Sequence, residues 1–138
     1  MSQLTADTVR NFELENNDFD DVPVKAAVKI YRGSAVGTNT GGRQLVAGDD
    51  FRGFAENAVD NTNGALGDVN VRVRKRGKVV LAVTSVASDG DVGSAVYASD
   101  GNTFTLASTG NSAIGKVDRW ITSTTCVVYF EAKELRSI

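Results

Sequence analysis

The chain has 138 residues, the length of one ordinary domain. Its many Gly, Asn, Asp, Ser and Thr residues, beside a single Pro, predict short strands joined by tight turns. The net charge of −2 argues against a general binder of nucleic acids or membrane surfaces, so we expect neither as a partner. The chain contains no His and one Cys, Cys126, which removes the usual general base and Cys-based zinc sites. We therefore expect an all-β protein that is not an enzyme, with no catalytic residues, no metal and no other cofactor.

Residues 1–21 differ from the rest of the chain in charge. Against one basic residue, Arg10, they hold six acidic residues: Asp7, Glu13, Glu15, Asp18, Asp20 and Asp21. The segment has too little apolar surface to fold alone, and it has neither a leader-like apolar run nor the length of one needed to span a membrane. We predict a soluble, unexported protein with an extended acidic N-terminal arm over residues 1–21 and a single β-barrel domain over residues 22–138.

The apolar residues of the arm need a surface to pack on, either on the protein's own body or on another subunit. Phe19, near the end of the arm, has the same need. The candidates for capsid or inter-subunit contact in the arm are Leu4, Val9, Phe12 and Leu14.

Apolar residues at alternate positions predict the strands of the first half. Val22–Ile30 alternates most clearly and is predicted as one strand. Phe51–Val59 contains Gly53, which indicates a bulge within a strand, and residues 60–68 are predicted to form a polar loop. Asp68–Arg74 alternates strictly, with its Val residues inward.

The middle of the chain predicts a hairpin and then a single helical turn. Lys78–Thr84 is a continuous apolar strand, and residues 75–77 are predicted to make the hairpin that joins it to the strand before. Ser88 can cap one helical turn within residues 85–92, and residues 132–138 are predicted to form a short helical turn or to fray.

Residues 91–131 are predicted to form a β-meander. Cys126 lies in its last apolar run, where a buried and unreactive thiol is expected. The four predicted strands are Ser94–Ala98, Thr103–Ala107, Ala113–Ile121 and Cys126–Glu131.

The residue pattern of the meander recurs, less regularly, earlier in the chain. Gly33-Ser34-Ala35-Val36 recurs as Gly93-Ser94-Ala95-Val96, and Gly53 in the next strand corresponds to Gly115. Val71 and Val73 likewise correspond to Val127 and Val128. These residue types are common, so chance identity is the alternative. A structural repeat predicts a compact β-barrel or sandwich of short antiparallel strands, built from two similar units that bury their apolar faces against each other.

One segment imitates a phosphate-binding loop. Residues 110–116, GNSAIGK, match the first seven positions of the P-loop pattern. Val117 stands where a hydroxyl should reach the magnesium ion, and the residues that follow are extended in pattern. We predict a turn and a strand here, without a nucleotide site.

A basic stripe is the other candidate site. Alternation places Arg72, Arg74 and Arg76 on one face of the predicted hairpin. They can meet phosphates or the acidic arm of a neighbour, or they can form a solvated face that protects a sheet edge from aggregation. Arg72, Arg74 and the outward-facing Trp120 complete the predicted contact residues.

Several segments together resemble the small capsid cement, or head-decoration, proteins of tailed bacteriophages. The resemblance spans most of residues 4–131, and the label of recombinase that some relatives carry has no basis in this chain. The segments that carry it are Lys29–Val36, Ala55–Asn61, Val71–Arg74, Gly93–Tyr97, Gly115–Val117 and Val127–Phe130.

The resemblance implies a β-barrel subunit, commonly a homotrimer, that binds the outer surface of an assembled phage capsid and stabilises it. The implied partners are the major capsid protein and other copies of the chain. The implied location is the outside of the virion, after synthesis in the host bacterial cytoplasm. Another structural β-module of a symmetric assembly, such as a tail or baseplate, is the alternative, and a small-ligand-binding barrel is the third reading.

Overall fold

The structure, a computed structural model, describes residue 6 and residues 19–135. The described chain consists of short strands joined by turns and loops, and its helical elements are two single 3₁₀ turns at Asp89–Asp91 and Lys133–Leu135. The strands are β1 (Phe19–Pro23), β2 (Lys29–Ile30), β3 (Ala35–Thr38), β4 (Gly42–Gln44), β5 (Asp50–Ala55), β6 (Val59–Asp60), β7 (Asn70–Arg74), β8 (Arg76–Thr84), β9 (Ala95–Asp100), β10 (Thr103–Thr105), β11 (Ser112–Thr122) and β12 (Thr125–Glu131). The all-β prediction is confirmed.

The strands form two units with the same topology. In the first unit the order across the sheet is β4-β3-β5-β7-β1, and in the second it is β10-β9-β11-β12-β8. In chain order, β1, β3, β4, β5 and β7 of the first unit correspond to β8, β9, β10, β11 and β12 of the second. Corresponding strands hold the same position in the two strand orders. The predicted structural repeat is therefore confirmed by the strand pairing.

Matching glycines hold equivalent positions in the two units. Gly33 and Gly93 both have positive φ, and their N–H groups donate to the carbonyls of Ala55 and Val117. Gly53 lies opposite Val36 beside a bulge, just as Gly115 lies opposite Val96 beside a bulge. An added Cβ would lie 2.3 Å from the Arg74 carbonyl oxygen at Gly53 and 1.9 Å from that of Tyr129 at Gly115. Only Gly permits this close backbone approach.

The two units differ in how completely they close. The second is a closed barrel, because β10 pairs in parallel with β8 through Phe104–Val83 and Thr105–Thr84. In the first, a single parallel bridge between Val24 and Gly42 stands in the same place. The seam between β1 and β4 is therefore mostly unpaired.

The main hydrophobic core is shared by both units. The first unit contributes Ala35, Leu45, Phe51 and Phe54, which pack against the interior of the second barrel. The rings of Phe54 and Phe130 meet edge to face with centroids 4.8 Å apart. The expectation that the units bury their apolar faces against each other is confirmed.

A smaller core fills the first unit and consists mainly of Val side chains. Successive side chains on a strand point to opposite faces, so Ala35 packs into the main core while Val36 packs into the smaller one. The members of the smaller core are Val22, Val24, Ile30, Val36, Ala55, Val71 and Val73.

The prediction of one strand over Val22–Ile30 is wrong. Strand β1 ends at Pro23, and the chain turns at Ala27, whose φ is +63°, before β2 begins. Backbone bonds from Lys25 N–H to the Gly42 carbonyl and from Ala27 N–H to the Asn61 carbonyl hold this turn. The alternating residues serve two separate strands that line the same small core.

The prediction of a hairpin at residues 75–77 is also wrong. Strand β7 pairs with β1 and β5, whereas β8 pairs with β12 and β10. The chain passes from the first unit into the second at Lys75 without reversing. Arg72, Arg74 and Arg76 therefore follow one continuous path across the boundary between the units.

The other local predictions agree with the structure in part. The segment Phe51–Val59 is divided between β5, which ends at Ala55, and β6, which begins at Val59. The four strands predicted over residues 91–131 correspond to β9, β10, β11 and β12. The prediction that they form a meander is wrong, because β9 pairs with both β10 and β11, and β10 pairs with β8 instead of β11. Gly53 lies beside the bulge of β5. Ser88 caps the first 3₁₀ turn with a capping box. Cys126 is buried, and burial together with the negative charge of Asp91 raises the pKa of its thiol.

Candidate interaction surface

The predicted arm meets the body at Phe19. This residue is the first of β1 and lies opposite Arg74 of β7. The guanidinium carbons of Arg72 and Arg74 lie 4.5 Å and 4.6 Å from the centre of the Phe19 ring, within the range of cation–π attraction. Arg74 also donates to Glu56 at 2.9 Å. We predicted that the apolar residues of the arm pack either on the protein's own body or on another subunit. Phe19 packs on the protein's own body.

The other predicted contact residues of the arm, Leu4, Val9, Phe12 and Leu14, lie outside the described residues. Residues 19–21 of the predicted arm are part of β1 and pair with β7. The structure thus brings Arg72 and Arg74 together around the last part of the arm, and their contact with another molecule stays a prediction.

Trp120 lies in a different place from the one predicted. It pairs with Cys126 and packs, partly buried, against the main core. Its indole Nε1 is buried, and no hydrogen-bond partner for it is found in the part of the chain that the structure describes. The ring therefore supports one end of the second barrel, while the adjacent Ile121 is exposed. A contact role for Trp120 stays a prediction.

Strand β8 has one edge, which we call the β8 edge and define as residues 77–82, along which no other strand of residues 19–135 pairs. On one side, all of β8 from Arg76 to Ala82 pairs with β12. On the other side β10 reaches only Val83 and Thr84. Sequence reasoning missed this edge, because the pattern of β8 alone does not say which of its sides is covered.

Backbone hydrogen bonds show which groups face the open side. Val83 N–H donates to Thr124 on the β12 side, whereas the Thr84 carbonyl accepts from Leu106 on the β10 side. Because backbone groups alternate in direction along a strand, those of Lys78, Val80 and Ala82 face the open side. The Val80 side chain is 58% exposed.

The segment around the β8 edge is strongly cationic. Residues 69–88 contain no acidic residue and five basic ones, Arg72, Arg74, Lys75, Arg76 and Lys78. Lys78 lies 3.3 Å from Asp118 of β11, but its side chain remains 62% exposed. The Lys78 ammonium is therefore largely at the surface.

The segment resembling a phosphate loop has a structural role. Ser112 Oγ donates to the Asp49 carbonyl at 2.6 Å and accepts from Gly48 N–H at 3.0 Å. Strand β11 begins at Ser112, and no helix follows. The prediction of a turn and a strand is confirmed, and the segment joins the second unit to the first.

Asp49 forms an ion pair with Arg43, and the Asp49 side chain is only 3% exposed. Arg43 donates to both carboxylate oxygens, at 3.0 and 2.9 Å, and Val46 N–H donates at 3.0 Å. Burial alone would raise the pKa of Asp49, but these hydrogen bonds outweigh it and lower the pKa below its ordinary value. The pair braces the loop before β5, and its role is structural.

Within residues 19–135 no group of three or more His, Cys, Asp or Glu side chains is arranged to hold a metal ion. No helix in the described part of the chain has the length and apolar character to cross a membrane. Comparison with protein-family models, curated proteins and solved structures gave no match.

Proposed function

We propose that this protein binds the outer surface of an assembled phage capsid and stabilises it. The observation that supports this proposal is the combination of a packed body, a strand edge in a cationic segment that no described strand covers, and an acidic N-terminal segment with apolar residues. Main-chain edges and extended segments are a common way for proteins to add strands to one another. The resemblance of the segments given above to capsid cement proteins indicates that the bound assembly is a phage capsid.

The proposed work is adhesion without turnover. A protein that binds only the intact, expanded shell lowers the free energy of that state by mass action. The partners in this proposal are the major capsid protein and other copies of the chain, as a homotrimer on the outside of the virion. Leu4, Val9, Phe12 and Leu14 contribute contacts from the arm, and Arg72 and Arg74, with the region of Trp120, contribute from the body.

Addition of the purified protein to undecorated capsids tests the proposal. We expect saturable binding and a higher temperature of shell disruption. Removing residues 1–18 is expected to weaken binding at least about tenfold, the loss that a few buried apolar contacts represent. Binding is measured by co-sedimentation, and shell disruption by release of packaged DNA.

Matched variants of the arm separate its apolar contacts from its mere length. Phe12→Ala with Leu14→Ala is expected to weaken capsid binding, and Asn16→Ala with Asn17→Ala is expected to leave it unchanged. Absence of saturable binding, or binding without a gain in shell stability, contradicts the proposal. Binding to purified tails and not to heads would favour a tail or baseplate role.

A further inference from the structure

We propose that a depression at the seam of the second barrel binds a single neutral sugar ring. The depression lies where β10 closes the barrel against β8, has a volume of about 310 Å³ and is open to solvent. This site does not depend on capsid binding and adds a ligand to the protein. The residues that line it are Ala82, Val83, Thr84, Ser85, Asn102, Thr103, Phe104 and Thr124.

The lining combines an apolar base with a neutral polar rim. Val83 and Phe104 are buried and form the base. No described residue of the lining carries a charge. A sugar ring has the matching chemistry, because its C–H face is apolar and its hydroxyl groups both donate and accept hydrogen bonds, as Ser, Thr and Asn side chains do. Five exposed residues form the rim: Thr84, Ser85, Asn102, Thr103 and Thr124.

Hydrogen bonds hold the rim in place before a ligand arrives. Val83 N–H donates to the Thr124 carbonyl at 2.8 Å, which fixes the turn before β12 against the end of β8. The Asp100 carboxylate accepts from Asn102 N–H at 2.8 Å and from Thr103 Oγ1 at 3.0 Å. A site that is already formed loses little conformational entropy when a ligand binds.

Ser85 holds a backbone conformation that is uncommon for its residue type. Its φ is +79°, in the left-handed region. Such conformations persist only where the surrounding structure fixes them, and they are concentrated at ligand sites. Here the conformation occurs where the chain leaves β8, and Ser85 is part of the rim.

The first unit has a depression of similar size with different chemistry. It lies beside the single parallel bridge of that unit and has a volume of about 330 Å³. One of its lining residues, Arg52, is charged and pairs with Asp20 and Glu134. The repeat therefore supplies an internal control within the same chain. The residues that line this second depression are Val22, Pro23, Thr38, Gly41, Arg52 and Leu66.

Titration of the isotope-labelled full-length chain with glucose, galactose and mannose tests the proposal by nuclear magnetic resonance. With at least one sugar we expect saturable shifts of the backbone amide signals of the rim residues. The dissociation constant should be on the order of 1 mM, because an open site makes few contacts. Signals of the residues that line the first-unit depression should not move. Shifts no larger than those caused by glycerol at the same concentration, or shifts confined to other residues, overturn the inference.

The same titration with methyl glycosides identifies the source of the sugar. The methyl group marks the position at which a glycan chain would continue. Binding of both forms supports the terminal ring of a glycan as the ligand, and binding of the free form alone supports a free monosaccharide.

Removal of two rim hydroxyls at nearly constant shape tests which groups bind. Thr84→Val together with Thr124→Val is expected to weaken sugar binding at least about tenfold, as the loss of two hydrogen bonds implies. Thr38→Val makes the same change in the first-unit depression and should leave sugar binding unchanged. A double variant that folds and binds sugar like the parent protein overturns the inference. Where circular dichroism shows that it does not fold, Asn102→Ala takes its place, since this side chain is exposed.

Discussion

At the scale of single residues, Asp49 is a buried charge that stabilises the loop before β5. Its carboxylate receives two hydrogen bonds from Arg43 and one from the Val46 backbone, and its side chain is only 3% exposed. Gly37 makes room for it, because a Cβ there would lie 2.6 Å from the Asp49 Cβ. The carboxylate is therefore surrounded closely, and loss of its charge leaves Arg43 without its partner.

Protonation or neutralisation of Asp49 is expected to destabilise the protein. Because the pKa of Asp49 is lowered from 3.8 in the folded state, its stabilising effect is complete above pH 3.8 and is lost as the pH falls through the folded-state pKa. Asp49→Asn is expected to cost on the order of 2 kcal/mol at pH 7 and to flatten the acid side of the stability profile. Urea unfolding between pH 2 and pH 7 measures both effects.

Asp50→Asn is the matched control for this change. Its carboxylate is 53% exposed and pairs with Lys133 at the surface. Exposed ion pairs contribute little, so the control should unfold close to the parent protein at pH 7. Equal effects of the two substitutions would contradict the role assigned to Asp49. From the sequence both residues are simply turn formers; only the approach of Arg43 from β4 distinguishes them.

At the scale of elements, the two equivalent glycine positions are where β5 and β11 pass closest to their neighbouring strands. A Cβ at Gly115 would lie 1.9 Å from the Tyr129 carbonyl oxygen, and one at Gly53 would lie 2.3 Å from that of Arg74. Both obstacles are backbone atoms, which cannot move aside without disturbing a strand pair. The repeat in the sequence therefore records a shared packing requirement.

Gly115→Ala and Gly53→Ala are each expected to destabilise the protein by about 3 kcal/mol, the upper range of overpacking in a close-packed interior. Thermal unfolding followed by circular dichroism measures the loss. Gly90→Ala is the control, since its Cβ would meet only the Ser88 hydroxyl at 3.3 Å. A similar loss in the control, or a tolerated alanine at both strand positions, would contradict the equivalence of the two sites.

The wrong strand predictions have a common cause at this scale. Alternation shows that residues 22–30 line an apolar interior, but it does not show where the chain turns. The turn at Ala27 depends on partners far along the chain, Gly42 and Asn61. In the same way, residues 75–77 have turn composition, and only the pairing of β7 and β8 with different strands decides that the chain continues forward.

At the scale of the whole molecule, the shared core makes the two units interdependent. Phe51 and Phe54 belong to the first unit but lie in the core of the second barrel, against Phe130. Ser112 of the second unit bonds the loop of Asp49 in the first. Neither unit therefore buries its full apolar surface without the other.

We expect residues 19–135 to unfold in one cooperative transition, because separating the units exposes the main core. In calorimetry the measured enthalpy should equal the van't Hoff enthalpy. Phe54→Ala should destabilise that single transition by about 3–5 kcal/mol, with Val71→Ala in the smaller core shifting the same transition. Two resolved transitions, only one of which responds to Phe54→Ala, would contradict the shared core.

The sequence by itself determined the all-β class, the repeat of two units, the buried Cys126 and the turn and strand at residues 110–116. These features rest on local properties: side-chain period, turn residues and the glycines that close packing demands. The excess of acid in residues 1–21 and of base in residues 69–88 is equally legible in the sequence.

Only the tertiary structure decided how those segments face one another. It placed Phe19 beside two arginines and packed Trp120 against the core. It also left one side of β8, from residue 77 to residue 82, without a partner among the described strands. The physical reason is that edge exposure and the partners of a side chain depend on contacts between residues distant in the chain. No periodicity within a single strand records which of its two sides is covered.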